Sequence, residues 1–329
     1  MFKFKFKNYV FSILLVLGSV LIGDRAEAAC TASVTPLNFG DINPVSPGIL
    51  DFDASLTYTC SGLVNLLSNV YVCIEIGPGS GDTSINPRTL THSSIPTEKL
   101  TFNIYKDAGR QNIWGYQYTA DETPMVIDKG VIVLGLGTVI TETLPIYGRV
   151  FSSNPFMLRN IGQYSSSMDV TVKMSLIGIV GLTSCIDVLL TGDTVLNATA
   201  TLISACTVSA NPLNFGSHPS NFASSVQSTS TINTACSKGS IYQIGLNNGQ
   251  NADGGTRRMK ATDGSYIVYE LYNNSSYTQR WGETLGTSEV VQGTATGLNQ
   301  QATVYGQVEP QTGLNADTYT DTITASVTY

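Results

Sequence analysis

Few residues in this chain are equipped for catalysis. Histidine occurs twice, as His92 in a Thr-His-Ser setting and His218 in Ser-His-Pro. Both settings read as solvated loops, and neither histidine lies at ligand spacing from other ligand-type residues, so no metal site is expected. Asp51 and Asp53 flank Phe52 on a predicted strand and therefore share a face, as an acid pair would. Two solvent-facing charges beside an inward Phe52 fit the same pattern. Gly77-Pro78-Gly79 and Gly135-Leu136-Gly137 lack the rest of any phosphate loop and read as turns. What is left is thiol chemistry, carried by Cys30, Cys60, Cys73, Cys185, Cys206 and Cys236. The expectation is a protein that is not an enzyme and holds no cofactor.

The compartment decides what six thiols do. Lys3, Lys5 and Lys7 precede an apolar run from Val10 to Gly23, and Ala26-Glu27-Ala28 puts small residues where a signal peptidase reads. The run is shorter than the about 18 residues a spanning helix needs. Glu27 stands where a lipoprotein signal carries leucine, which argues against lipidation at Cys30. Residues 1–28 are therefore expected to be a cleaved signal, and an even number of cysteines in an exported chain reads as disulfides formed in an oxidising compartment. Removing Lys3, Lys5, Lys7 and Arg25 together with Asp24 and Glu27 takes the formal charge from −7 to −9. With no basic run beyond the signal, nucleic acid is excluded as a partner.

The elements that carry the cysteines are duplicated. Cys30-Thr-Ala-Ser-Val-Thr-Pro-Leu-Asn-Phe-Gly40 returns as Cys206-Thr-Val-Ser-Ala-Asn-Pro-Leu-Asn-Phe-Gly216, and each copy meets a second cysteine at Cys60 and Cys236. Further on, Leu100–Gly115 matches Ile267–Gly282, aligning Tyr105 with Tyr272 and Trp114 with Trp281, and Tyr147-Gly148 matches Tyr305-Gly306. Short alternating runs of Thr, Val, Ile, Tyr and Phe between turn clusters predict many strands and no long helix, hence a β-sandwich for each half. Pairs 30/60 and 206/236 would join the first strand of each half to the next, each worth about 3.5 kcal/mol in the loop-closure model. Cys73 and Cys185 have no counterparts in the second half and pair by elimination.

The strand ends are unequal. The sequence closes on an alternating segment that puts Ile323, Ala325, Val327 and Tyr329 on one face, with nothing after it to cover the edge. The first half has the same strand in Val170, Val172, Met174 and Leu176, and the chain then continues to Leu196, Ala198, Ala200 and Leu202, which alternate again. The first domain can thus take a closing strand in cis, whereas the second needs one from another polypeptide, since an open edge invites strand addition. A plain interdomain linker is the competing reading. Only Ala29 separates the cleavage site from Cys30, so no strand is expected ahead of the first domain.

Cys-Thr-x-Ser with x-Pro-Leu-Asn-Phe-Gly, the second cysteine, Arg257-Arg258-Met259, the Tyr-bearing strand, Trp-Gly, Tyr-Gly-x-Val and the closing alternating strand together resemble the spore coat protein U domain. The likeness covers essentially the whole mature chain, more strongly over 206–329 than over 29 to about 190. That family supplies subunits of archaic chaperone-usher pili. The resemblance implies two tandem immunoglobulin-like sandwiches, all-β, the second lacking its last strand. It implies as partners a periplasmic chaperone, an outer-membrane usher and the next pilus subunit, which completes the sandwich by donor strand exchange. A shaft subunit is similar to one such domain with a donor strand before its first cysteine. Two domains without that strand look like a tip adhesin, exported through the periplasm to the distal end of a fibre. The expected division is 29–190 as adhesin domain, 191–205 as linker and cis donor strand, and 206–329 as pilin domain.

The first domain is longer than the second in three places, and the additions are apolar. The zone after Cys60 holds Leu63, Val64, Leu66, Leu67 and Val70; the zone after Trp114 holds Val131, Ile132, Val133, Leu134 and Leu136; the third holds Phe156, Met157 and Leu158. Apolar insertions between strands predict loops that grip an abiotic or host surface and promote biofilm, each large side chain contributing about 1.5–3 kcal/mol. They could instead extend the core. A lectin-like adhesin with a polar sugar pocket, or a structural spore-coat or pilus subunit, are the alternatives.

Overall fold

The computed structural model describes residues 29–48, 50–62, 66–116, 123–134, 138–176 and 188–329. The expected signal, residues 1–28, lies outside them. Alternation dictates strands almost throughout, and one short 3-10 turn, Phe156–Leu158, is the exception among the described residues.

The first half builds β1 (Ala29–Val34), β2 (Leu37–Ile42), β3 (Asp51–Gly62), β4 (Leu66–Gly79), β5 (Arg88–His92), β6 (Lys99–Tyr105), β7 (Met125–Leu134), β8 (Thr138–Val150), β9 (Gly162–Leu176) and β10 (Val188–Leu202). One layer runs β1-β3-β8-β6-β5 and the other β7-β4-β9-β10-β2. The layers join into one curled sheet because β5 also pairs with the start of β9, through Thr91↔Ser165 and His92↔Tyr164. Between them lies a core that includes Leu37, Phe39, Leu56, Ile74, Phe102, Trp114, Val170 and Leu196. Outward positions of β3 and β8 carry a threonine ladder, Thr57 to Thr143 and Thr59 to Thr141, so one face is wet and the other dry.

The second half builds β11 (Cys206–Ala210), β12 (Val226–Cys236), β13 (Ile241–Leu246), β14 (Arg258–Lys260), β15 (Tyr266–Tyr272), β16 (Val291–Thr294), β17 (Gln300–Val308) and β18 (Ala325–Thr328). Its layers are β11-β12-β17-β15-β14 and β16-β13-β18, around a second core containing Ile232, Ile244, Leu271 and Trp281. The first layer repeats β1-β3-β8-β6-β5, and the second repeats β7-β4-β9. Nothing in the second half takes the places of β10 and β2.

Each half is pinned by the same internal clamp. Trp114 Nε1 donates to the carbonyl of Ile74, and Trp281 Nε1 to that of Ile244. Arg88 and Arg257 are both fully buried. Arg88 donates to the carbonyls of Ile76, Gly77 and Trp114 and to Asn103 Oδ1; Arg257 donates to those of Leu246, Asn247 and Trp281 and pairs with Glu270. A buried guanidinium is tolerated only with its donors satisfied, and here they tie the tryptophan segment to β4 or β13.

Cys30–Cys60 and Cys206–Cys236 are disulfides linking directly opposed residues of β1/β3 and β11/β12. Cys73, buried on β4, is also disulfide-bonded; Cys185 lies outside the described residues.

Two expectations need correction and a third gains a detail. His92 is on β5, 7% exposed, with its ring edge-on to Tyr164, so it is a core residue and not a solvated loop. Gly77-Pro78-Gly79 is not a free turn but the end of β4, where the pairing with β9 slips between Ile76 and Gly79. Asp51 and Asp53 share a face as expected but are ion-paired: Arg149 forks onto Asp51, and Arg110 reaches Asp53 at 2.5 Å.

Candidate functional site

β10 is what the second half lacks. It runs antiparallel to β9 along nearly its whole length and parallel to β2 on its other side. Leu196, Ala198, Ala200 and Leu202 all face inward and are at most 1% exposed. The strand starts at Val188, within the stretch assigned by sequence to the domain proper, and ends at Leu202. At Gly192 it passes so close to β1 that a Cβ would lie 2.1 Å from the carbonyl oxygen of Cys30.

The registers fix which residues correspond. Ile74 opposes Val172 and Ile244 opposes Val327, so Met168 answers to Ile323 and Tyr164 to Tyr319. In the first half Leu37, Phe39, Tyr164 and Met168 are 0–2% exposed. Their counterparts Leu213, Phe215, Tyr319 and Ile323 are only half-buried. The Pro-Leu-Asn-Phe-Gly sequence is identical in both halves, yet it forms β2 beside β10 and forms no strand at 212–216. A neighbour to pair with, not propensity, makes the difference.

A groove marks the missing strand. Two adjoining concavities of about 630 and 550 Å³ share Leu213 and Phe215 on one wall, with Tyr319 on the other and Met259 between. Ile323 and Ala325 continue the second wall. Beneath them Tyr269 donates to Asp321 Oδ2 at 2.7 Å. Burial first, and that bond second, push the Tyr269 phenol up, so it stays protonated as the donor. β18 pairs with β13 on one side and, among the described residues, with no strand on the other. Ile323, Ala325 and Val327 pack on the second core as the alternation predicts. Tyr329 does not: it is 55% exposed.

The apolar insertions are not gathered in one place. Gly62↔Thr138, Leu66↔Leu134 and Val70↔Leu176 bring the ends of β3, β4, β7, β8 and β9 together at one end of the first domain. Leu66, Leu67 and Val131 to Leu134 belong to the paired β4/β7 backbone there, while Leu63, Val64 and Leu136 lie outside the described residues. Val70 is fully buried, a core residue and not a gripping one, because it sits on the inward phase of β4 with Val72 and Ile74. Phe156 is likewise buried, at 4%. The Phe156–Leu158 turn is at the opposite end, against the second domain: the Met157 carbonyl accepts from Lys238 N at 3.1 Å, and only Leu158 of the three is exposed.

Sequence reading passed over Arg88 and named Arg257 only as part of its Arg257-Arg258-Met259 run. The signal that could have found both is an arginine ahead of the tryptophan in each half, by 26 residues in one and 24 in the other. Among the described residues no group of three or more His, Cys, Asp or Glu could hold a metal ion.

Fold and groove together define a class: paired immunoglobulin-like sandwiches, one closed by its own strand and the other open along the same edge. The chain belongs to the spore coat protein U domain family, whose model matches residues 17–171 and 193–326. No curated protein matches it. Among solved structures it is similar to the CsuC-CsuE chaperone-tip adhesion subunit pre-assembly complex from the archaic chaperone-usher Csu pili of Acinetobacter baumannii, at 20% identity over 92% of this chain and 100% of that one, TM-score 0.47. It is also similar to CfaE, the adhesive subunit of CFA/I fimbria of enterotoxigenic Escherichia coli, at 8% identity over 89% and 98%, TM-score 0.34. A third is the CssB subunit complemented with a donor strand from CssA, from enterotoxigenic Escherichia coli, at 15% identity over 53% and 97%, TM-score 0.23.

Proposed function

We propose that this chain is the tip adhesin of a chaperone-usher pilus, receiving a strand from the next subunit in its second domain and gripping a surface with its first. The observation that carries this reading is one sequence in two states: Pro-Leu-Asn-Phe-Gly is a buried strand where β10 lies beside it and an unpaired, half-buried segment where no strand does. Completing the second sandwich would bury the remainder of Leu213, Phe215, Tyr319 and Ile323, each worth up to about 1.5 kcal/mol. Until then the groove is an aggregation hazard, which accounts for a periplasmic chaperone strand before assembly at an outer-membrane usher. β10 is what supports the tip position. The segment ahead of Cys206, which a shaft subunit would offer to its neighbour, is consumed by the first domain. The adhesive end in this reading is the one where β3, β4, β7 and β8 terminate; Phe156–Leu158, whose Met157 carbonyl bonds to Lys238 of the second domain, is left out of it. Contact with hydrophobic abiotic or host surfaces, and biofilm growth from it, are the roles that end would serve.

The test is made in cells that display the fibre. Ile323→Asp puts a charge in the groove and is expected to abolish the assembled pilus. Leu66→Asn with Leu67→Asn and Leu134→Asn is expected to leave pili intact and reduce attachment to plastic at least tenfold. Attachment at the unsubstituted level by the triple variant would refute the hydrophobic grip. Normal pili from Ile323→Asp would refute strand acceptance.

A further inference from the structure

The open groove differs at one end from the closed edge it parallels. In the first domain Leu202 lies between Gly162 of β9 and Ile42 of β2, and all three sit in an apolar corner capped by His92, whose Nε2 would be 2.7 Å from a Cβ on Gly162. The second domain's corresponding residues are polar. Asp317 replaces Gly162, two positions before Tyr319 as Gly162 is before Tyr164. His218 replaces Ile42, and both line the groove.

That correspondence rests on shared geometry. Asn38 Oδ1 accepts Gly40 N at 2.9 Å and Asn214 Oδ1 accepts Gly216 N at 2.8 Å, and both glycines have positive φ, +68° and +85°, so the chain makes the same turn toward Ile42 and toward His218. The bridge Lys260↔Thr320 stands where Thr91↔Ser165 does.

Asp317 Oδ2 accepts from Thr262 N at 2.9 Å and Thr262 Oγ1 at 2.5 Å, and Oδ1 accepts from Thr318 N at 2.7 Å. The Asp263 backbone N–H also bears on this carboxylate, so its about four acceptor directions are taken up by neutral donors while its charge, among the described residues, has no Lys or Arg paired with it. His218 Nε2 is engaged with the Phe215 carbonyl at 2.6 Å, and Asp263 with Ser265 and Asn315. A leucine arriving here, as in the first domain, would strip water from the Asp317 carboxylate and return no hydrogen bond. An ammonium or guanidinium would neutralise the charge that these neutral donors leave and share one of the carboxylate oxygens in a charge-assisted bond.

We infer that the strand received by the second domain carries Lys or Arg at the position Leu202 holds in the first. Asp317 with His218 thus selects the guest and disfavours the chain's own β10 sequence. This rests on the strand-accepting reading above, and the experiment separates the two. The mature chain is refolded with an excess of either of two synthetic peptides: the sequence of Val188 to Ile203, or the same peptide with its Leu202 position changed to Lys. The apparent Kd is read from the rise in the second domain's Tm with peptide concentration. About tenfold tighter binding of the Lys peptide is expected, a preference reversed in a His218→Ile, Asp317→Gly chain that recreates the first domain's corner. Equal affinities, or preference for Leu, would overturn the inference while leaving the groove a strand acceptor. Stabilisation by neither peptide would overturn the strand-accepting reading and this inference with it.

Discussion

Gly192 shows how closely the closing strand is fitted. A Cβ there would meet the Cys30 carbonyl oxygen at 2.1 Å and its carbon at 2.5 Å, both backbone atoms pinned by the Cys30–Cys60 disulfide and by β3. Neither side can yield by a rotamer change, so Gly192→Ala has to push β10 off β1. The expected cost to the first domain is about 2–3 kcal/mol, measured as a lower urea midpoint with the second domain's transition unmoved. An unchanged midpoint would mean the two strands are not held at this distance. At this scale the sequence makes some roles plain and hides others. Cysteine spacing announces the 30/60 and 206/236 pairs because repetition preserves it. Arg88 and Arg257 give a weaker signal, a distance to the tryptophan that differs by two between the halves, since their partners are mostly carbonyls, whose positions no side-chain pattern records. His92 misleads for a related reason: a Thr-His-Ser run looks solvated until Tyr164 of β9 and the Ile161 carbonyl just ahead of that strand close on the ring.

Among elements, the decisive contrast is between Leu37–Ile42 and its repeat at 213–218. Alternation made β10 legible, because Leu196, Ala198, Ala200 and Leu202 announce an inward face wherever the strand ends up. It could not say that β2 would run parallel to β10, nor that the repeat would stay unpaired, because pairing belongs to the partner and not to the segment. The same limit explains Val70 and Phe156: an apolar residue in an insertion is core or grip according to what lies beneath it. Hydrogen exchange should expose the contrast within one chain. Amides of β2 that bond to β10 are expected to exchange at least 100-fold more slowly than those at 213–218, and the latter to become protected once a strand occupies the groove. Equal, slow exchange in both segments would mean the second edge is already covered. The half-exposed position of Leu213 would then have to be re-explained.

For the whole molecule, the question is how a pull on the second domain reaches the first. The link Ile203-Ser204-Ala205 is short and bonded at both ends: Ile203 N donates to the Ile42 carbonyl, and Ala205 exchanges bonds with Ser237. Beside it the Ser237–Ser240 turn docks on the first domain through Lys238 N to Met157 O at 3.1 Å and Ile161 N to Lys238 O at 3.0 Å. Under these backbone bonds sits Glu98, 8% exposed, which takes Lys238 Nζ at 2.7 Å and Asn160 Nδ2 at 3.0 Å on one oxygen and faces Arg159 at 3.6 Å with the other. Burial alone would push this carboxyl up, but Lys238, Arg159 and Asn160 outweigh it and hold it below the ordinary value of 4.5. A carboxyl whose folded pKa is depressed contributes stability that is complete above the unfolded value and is lost as pH falls through the folded one. The junction is therefore expected to stay docked at pH 5 and above and to loosen below about pH 4.5. Because Trp114 and Trp281 are fully buried in separate cores, their fluorescence reports whether each domain survives the acid. Small-angle scattering at pH 7 and pH 3.5 should then show the radius of gyration rising while both tryptophans stay native. Glu98→Gln, which cannot ionise, should remove that dependence. If the unsubstituted chain keeps one radius across this range with both domains folded, the docking is held by the backbone bonds and the Ser237–Ala205 pair, and Glu98 is a passenger in it.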